Sequence, residues 1–200
     1  MSTTAEQIKE LRQATGAGIL ECRDALESSG GDLEKATALL REKGLATAAK
    51  RADRETREGV LDLYSHGEGR VGVMVEVNCE TDFVGRTAEF RNFAHEVALQ
   101  VAANSPRWLD VADIPPDSVE EERQESRRQA VADGKPEAVI ERIVEGRLEK
   151  FYQDNCLLRQ PYIRDDSKTV ADLLNETIAA TGERVTIRRF ERWTVGQEAE

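Results

Sequence analysis

Four valines at every second position, Val71, Val73, Val75 and Val77, constrain this chain more than any other stretch. Period-two alternation puts them on one face of an extended strand, and β-branched side chains favour that backbone. A second apolar arm, Val60, Leu61, Leu63 and Tyr64, lies upstream across HGEG, His66 to Gly69. Two such arms around a glycine turn predict a β-hairpin. Downstream, Phe90, Phe93, Ala94, Val97, Ala98, Val101 and Ala102 recur at helical spacing, which predicts a long helix with one face in a core. Near the end, RVTIRRFERWTV alternates again through Val185, Ile187, Phe190 and Trp193, with a phase shift near its middle. A third strand is expected there.

Between helix and returning strand the chain reads as helices and loops. Pro115 and Pro116 precede a helix start at Asp117 or Ser118, and the segment 117–133 is so charged that it reads as solvated or loosely attached. Glu120 with Arg123 and Glu125 with Arg128 are surface pairs along it. Ile140, Ile143, Val144, Leu148, Phe151 and Tyr152 mark a helix from about Pro136. QPYIRDDSK reads as a loop, and Thr169 caps a helix carrying Val170, Leu173, Leu174 and Ile178 that stops at Gly182.

The first fifty residues read as three short amphipathic helices. Thr3 or Thr4 caps the first, with Glu6 or Gln7 closing a capping box. TGAG, Thr15 to Gly18, is a tight turn with positive φ at its glycines. Cys22 and Leu26 share a stripe with Ile19, which makes Ile19 a core residue by spacing, while Leu20 lies off the stripe. SSGGD, Ser28 to Asp32, ends the second helix and caps the third, whose apolar face is Leu33, Ala36, Leu39 and Leu40, and Gly44 fits its C-terminal stop. The Ala-rich, then charged segment Leu45 to Gly59 reads as a helix running into a linker. The expected architecture is α+β: a three-helix head over residues 1–55, then a core over 56–200 in which the hairpin and C-terminal strand form a small antiparallel sheet packed against helices. No internal repeat is evident.

Charge and composition narrow the function. Charged residues make up 34% of the 200, and the net charge is −11. Such a chain is poorly suited to gripping a phosphate backbone, which demands Lys and Arg in place of counterions. A protein partner or a small ligand fits better than direct nucleic acid. Three scattered cysteines, Cys22, Cys79 and Cys156, do not make a disulfide framework and fit a reducing cytosol. MSTTAEQIKEL lacks a signal-peptide core, and no apolar run approaches membrane-spanning length, so a cytoplasmic location away from membranes is expected. Phosphate-binding loop, dinucleotide fingerprint and zinc-ligand spacing are all lacking, which argues against cofactor, metal and covalent catalysis. His95 is a helix-boundary residue, and Cys79 is more simply a small buried strand residue than a nucleophile.

One stretch asks for more. In VEVNCETDFVGR, Val75 to Arg86, the strand stops at Cys79, and Glu80, Thr81, Asp82 and Phe83 follow before a helix begins. Thr81 or Asp82 can cap that helix, with Phe83 as a core ring behind it. Equally, the ring can project as a tool.

Three segments resemble one family. LRQATGAGILECRDALESSGGDLEKATALLREKGLATAAKRADRETREG is similar to the N-terminal ubiquitin-associated-like module of translation elongation factor Ts. GRVGVMVEVNCETDFV resembles that family's core signature, and EGRLEKFYQDNCLLRQPYIRDDSKTV its C-terminal signature. The matches run in order over nearly the whole chain. The resemblance implies a guanine-nucleotide exchange factor for elongation factor Tu that binds the GDP form, disturbs its Mg²⁺ region and releases GDP. The exchange motif falls on Thr81, Asp82, Phe83 and Val84. Leu20, with Ile19 and His66, are further contact candidates. Longer relatives duplicate the core and insert a coiled coil, so this single-core chain is expected to homodimerise; Phe190 and Trp193 serve that interface or the monomer core. The rival readings are an adaptor without exchange activity and an RNA-binding ribosome accessory protein.

Overall fold

The computed structural model describes residues 4–197. Among these the chain forms α1 (Ala5–Thr15), α2 (Ile19–Ser28), α3 (Leu33–Lys50), β1 (Glu58–His66), β2 (Val71–Cys79), α4 (Asp82–Gly85), α5 (Ala88–Asn104), α6 (Pro116–Ala132), α7 (Glu137–Asn155), β3 (Pro161–Tyr162), β4 (Asp165–Thr169), α8 (Val170–Thr181) and β5 (Thr186–Thr194). This is an α+β protein. Two compact units divide it: one runs to Leu99 and resumes at Ala171, the other spans Gln100–Val170. No described helix is long and apolar enough to cross a membrane.

In the first unit β2 is the central strand of an antiparallel sheet ordered β1-β2-β5. Val73, Val75, Val77 and Cys79 point inward and are buried, as their alternation demands. Val60 pairs with Val77 and Tyr64 with Val73, so β1 sends Val60, Asp62 and Tyr64 to the same face. Its Leu61 and Leu63 therefore point out. The phase shift in β5 is real: Ile187 pairs with Val77 and Arg189 with Glu76, leaving Arg188 as the extra residue of a bulge. Phe90, Phe93, Ala94, Val97 and Ala98 of α5 are buried, and helices cover the inner sheet face. Gly59 has one clear reason to be glycine: a Cβ there would lie 2.1 Å from the Val77 carbonyl oxygen.

The head is built on Leu11, Ala17, Cys22, Ala25, Leu26, Ala36 and Leu40, with Ile8, Leu33 and Leu39 packed against them. Thr4 caps α1 in a reciprocal box with Gln7, and Asp32 caps α3 through the Lys35 N–H; Thr3 lies outside the described residues. In the TGAG turn only Gly16 is left-handed, at φ 68°; Gly18 is the extended cap of α2 at φ −62°. Gly44 does not stop α3, which runs on to Lys50 with Gly44 buried inside it. The glycine faces α8 instead: a Cβ at Gly44 would lie 3.9 Å from Ala179 Cβ and from the Asn175 carbonyl oxygen, an ordinary van der Waals distance that leaves room for a methyl and for little more.

The second unit corrects two further expectations. α6 begins at Pro116 and is not loose: Ala130 packs with Ile140, Val144 and Leu148 of α7, flanked by Val119, Ile143 and Tyr152. Small residues, Ser126 and Ala130, make its buried face, which a search for large apolar residues passes over. Arg127 bridges to Glu137 at 2.9 Å and to Glu141, adding ion pairs between the helices. The segment read as a loop contains the short hairpin β3–β4, whose polar DDSKT strand shows no apolar alternation. Two buried amides hold this region. Gln100 Nε2 donates to Gln160 Oε1 and to the Pro161 carbonyl, both at 3.1 Å, while Gln160 Nε2 reaches the Asp154 carbonyl at 3.1 Å.

Candidate functional site

The corner between β2 and α4 is held by a set of hydrogen bonds from distant parts of the first unit. Cys79 ends the strand fully buried, and its thiol donates to the Thr81 carbonyl at 3.1 Å. Burial, then the nearby Glu183 charge, push this thiol up from 9.0 to about 11, so it stays neutral as the donor role requires. It is no activated nucleophile. Thr81 is the helix cap, its hydroxyl accepting the Val84 N–H at 3.4 Å. Asp82 is not the cap; as the first helical residue it forms an exposed ion pair with Arg86 at 2.8 Å. Gly85 is buried against the Gly59 backbone and Cys79 Sγ, so the single turn of α4 lies flat on the start of β1.

Phe83 stands on that turn with 80% of its surface exposed. The core-ring reading of this side chain therefore does not describe it. Val84 beside it is half-buried.

Two carboxylates clamp the corner to the junction of α8 and β5, about one hundred residues away in sequence. Glu183 Oε2 accepts the N–H groups of Glu80 at 3.1 Å and Thr81 at 3.0 Å, and Oε1 accepts the Thr81 hydroxyl at 2.6 Å. In return Glu80 Oε1 accepts the Arg184 N–H at 2.6 Å, and both Glu80 oxygens meet Arg54 Nη1. Burial alone would raise the Glu80 carboxyl. The Arg184 N–H and the Arg54 guanidinium outweigh it and hold the group below the usual carboxylate range. The Arg184 guanidinium closes the loop by donating to the Arg54 carbonyl. Sequence reading missed Glu183, Arg184 and Arg54. The only local hint was an acid placed just past the Gly182 helix stop.

The other candidates lie apart from this corner. Ile19 and Leu20 open α2 and are 57% and 63% exposed. The core assignment of Ile19 is thus wrong: the stripe through Cys22 and Leu26 extrapolates to it, but Ile19 is exposed at the start of α2, and Ala17 of the preceding turn joins the core cluster. His66 ends β1, exposed, with Nδ1 3.0 Å from the Tyr64 hydroxyl. His95 is also partly exposed and sits 3.2 Å from Asp62 on β1. No group of three or more metal-ligating side chains occurs among the described residues.

Fold and site together define a small α+β protein whose distinctive surface element is a rigid, aromatic-tipped corner. A family model described as Elongation factor TS matches residues 3–197. The chain is 56% identical over 197 residues to Elongation factor Ts of Caldanaerobacter subterraneus subsp. tengcongensis, covering 98% of both chains. It is 54% identical over 198 residues to that of Nitratidesulfovibrio vulgaris, covering 99% of both. The relative from Coprothermobacter proteolyticus is 52% identical, with 98% of this chain aligned to 100% of that one. The chain belongs to the elongation factor Ts family.

Proposed function

We propose that this chain is a guanine-nucleotide exchange factor for elongation factor Tu, acting in the cytoplasm without cofactor or metal of its own. The exposure of Phe83 on a clamped corner, at the position of the family's exchange motif, carries this reading. Exchange requires no bond chemistry. It requires a coupling free energy: factor binding weakens GDP, and GDP weakens factor binding equally. Mg²⁺ on the GTPase bridges protein oxygens and phosphates, so displacing it loosens the phosphate end of the nucleotide. Phe83 enters an apolar pocket of the partner as the wedge, Val84 widens its apolar footing, and Asp82 competes for donors on the nucleotide side. Thr81 holds the turn that carries them.

The head, residues 1–55, supplies placement through Leu20 and Ile19, and His66 adds a contact from the hairpin end. The remaining core, 56–200, carries exchange and dimerisation. The outer sheet face supports a homodimer: Leu61, Leu63, Met74 and Trp193 are all exposed on it, Leu63 by 73% and Trp193 by 75%. Phe190, paired with Val75 on the inner face, belongs to the monomer.

The test is release of fluorescent GDP from preloaded Tu. Catalytic amounts of the chain should accelerate it strongly, and Phe83→Ala should lose about tenfold or more of that effect. An exposed ring costs little stability, within about 0.5 kcal/mol, so the variant should melt like the parent. Binding without acceleration would favour the adaptor reading.

A further inference from the structure

We propose that Glu183 is the positioning residue of the exchange corner: its carboxylate fixes Glu80 and Thr81 so that Phe83 is presented at one place. The inference rests on the reading of Thr81–Val84 as the exchange motif.

Three donors converge on this one side chain, the N–H groups of Glu80 and Thr81 and the Thr81 hydroxyl, at 3.1, 3.0 and 2.6 Å. Hydrogen bonds to a carboxylate are shorter and stronger than neutral ones. The grip is returned, since Glu80 accepts the Arg184 N–H at 2.6 Å. From beneath, the Cys79 thiol holds the Thr81 carbonyl. Thr81 is thus fixed through its N–H, its hydroxyl and its carbonyl together.

Helix stability does not explain so much restraint. α4 has only four residues, Thr81 already caps it, and its large side chain buries little. What the clamp does secure is the direction of the exposed ring two residues on. A functional group must be held within about 0.5 Å of its working position, and restraint before binding removes an ordering cost at the interface.

Glu183 also stands at a junction. It follows α8, the helix that lies against Gly44 of α3 and whose Ile178 carbonyl accepts Arg51 Nη1 at 3.4 Å. The same strut that meets the head therefore ends in the clamp on the corner.

The experiment uses the full chain with Glu183→Ala and Glu183→Gln, and fluorescent GDP on Tu, over a range of factor concentrations. The maximal release rate should fall about tenfold for Glu183→Ala, because misplacing a working group by an ångström can cost up to about 100-fold. Glu183→Gln keeps one accepting oxygen and should lose less. The half-saturating concentration should move by less than about threefold, since the other contact surfaces are untouched. In a Phe83→Ala background, Glu183→Ala should add clearly less than its loss in the parent, because it acts mainly through that ring. In the free protein, amide hydrogen exchange at Glu80 and Thr81 should accelerate in both variants.

An unchanged maximal rate overturns the proposal, as does a loss confined to half-saturation or an additive loss without Phe83. If Glu183→Ala fails to fold, the isosteric Glu183→Gln carries the same measurements. A parent protein that does not accelerate GDP release defeats the exchange reading instead. The amide measurement then still decides whether Glu183 holds the corner, and unaltered exchange at Glu80 and Thr81 would overturn that.

Discussion

At the corner one side chain, Phe83, is left out in solvent, while the groups that hold it range from the half-buried Glu80 and Glu183 to the fully buried Cys79. Cys79 is the buried end of that range. Its thiol is raised to about 11 by burial and by Glu183, against 9.0 ordinarily. A thiol whose folded value lies above its unfolded one favours the folded state fully at low pH. That contribution is lost as pH rises from about 9 toward about 11, because only the unfolded chain gives up its proton there. The melting temperature of the parent should therefore fall more steeply across this window than that of Cys79→Ala, in thermal scans at stepped pH. Below pH 8, Cys79 in the folded protein should resist alkylation. Residue identity in this stretch was readable, since a Cys closing a valine strand is a core residue by pattern. The exposure of Phe83 was not, because an aromatic after a cap satisfies a buried and a projecting geometry equally well. Ile19 shows the same ambiguity resolved against its own spacing: periodicity names a face but not how far the neighbouring helices extend to cover it.

Elements followed their local chemistry wherever one segment carried the whole signal. The hairpin, the bulged third strand, the α5 stripe and the caps at Thr4 and Asp32 are of this kind. Gly44 is not. A glycine near the end of an amphipathic run reads as a stop, but this one lies inside α3 facing α8. Its role can be measured. A Cβ at Gly44 meets only ordinary contacts at 3.9 Å, so Gly44→Ala should stabilise by about 0.5–1 kcal/mol through helix propensity. Gly44→Leu should instead cost about 1–3 kcal/mol by forcing α3 off α8. Urea denaturation midpoints distinguish the two signs. α6 shows the matching failure in the other direction: charge on its surface concealed a face of Ser126 and Ala130 fine enough to seat it on α7.

At the scale of the molecule, the outer face of the sheet leaves Leu61, Leu63, Met74 and Trp193 exposed beside the Arg189–Glu76 ion pair, apolar surface of the kind a second copy of the chain could cover. If the outer face makes a homodimer, the parent should sediment as a dimer, and Leu63→Glu with Trp193→Glu should sediment as a monomer. Hot-spot truncations of this kind cost about 2 kcal/mol or more each, enough to move the dissociation constant by at least about 100-fold for the pair. Both positions are exposed in the single chain, so the variant should keep the parent's secondary structure by circular dichroism while it sediments as a monomer. Sequence by itself determined the class of fold, the order of the main helices and of the three-stranded sheet, the acidic composition and the strand end at Cys79, because each depends on local period, turn residues or composition. Tertiary structure alone decided that Phe83 projects, that Gly44 is a contact rather than an end, and that Glu183 grips Glu80 and Thr81 from about a hundred residues away. Those facts arise from which surfaces meet, and no local pattern in a chain encodes the separation across which two of its segments will be brought together.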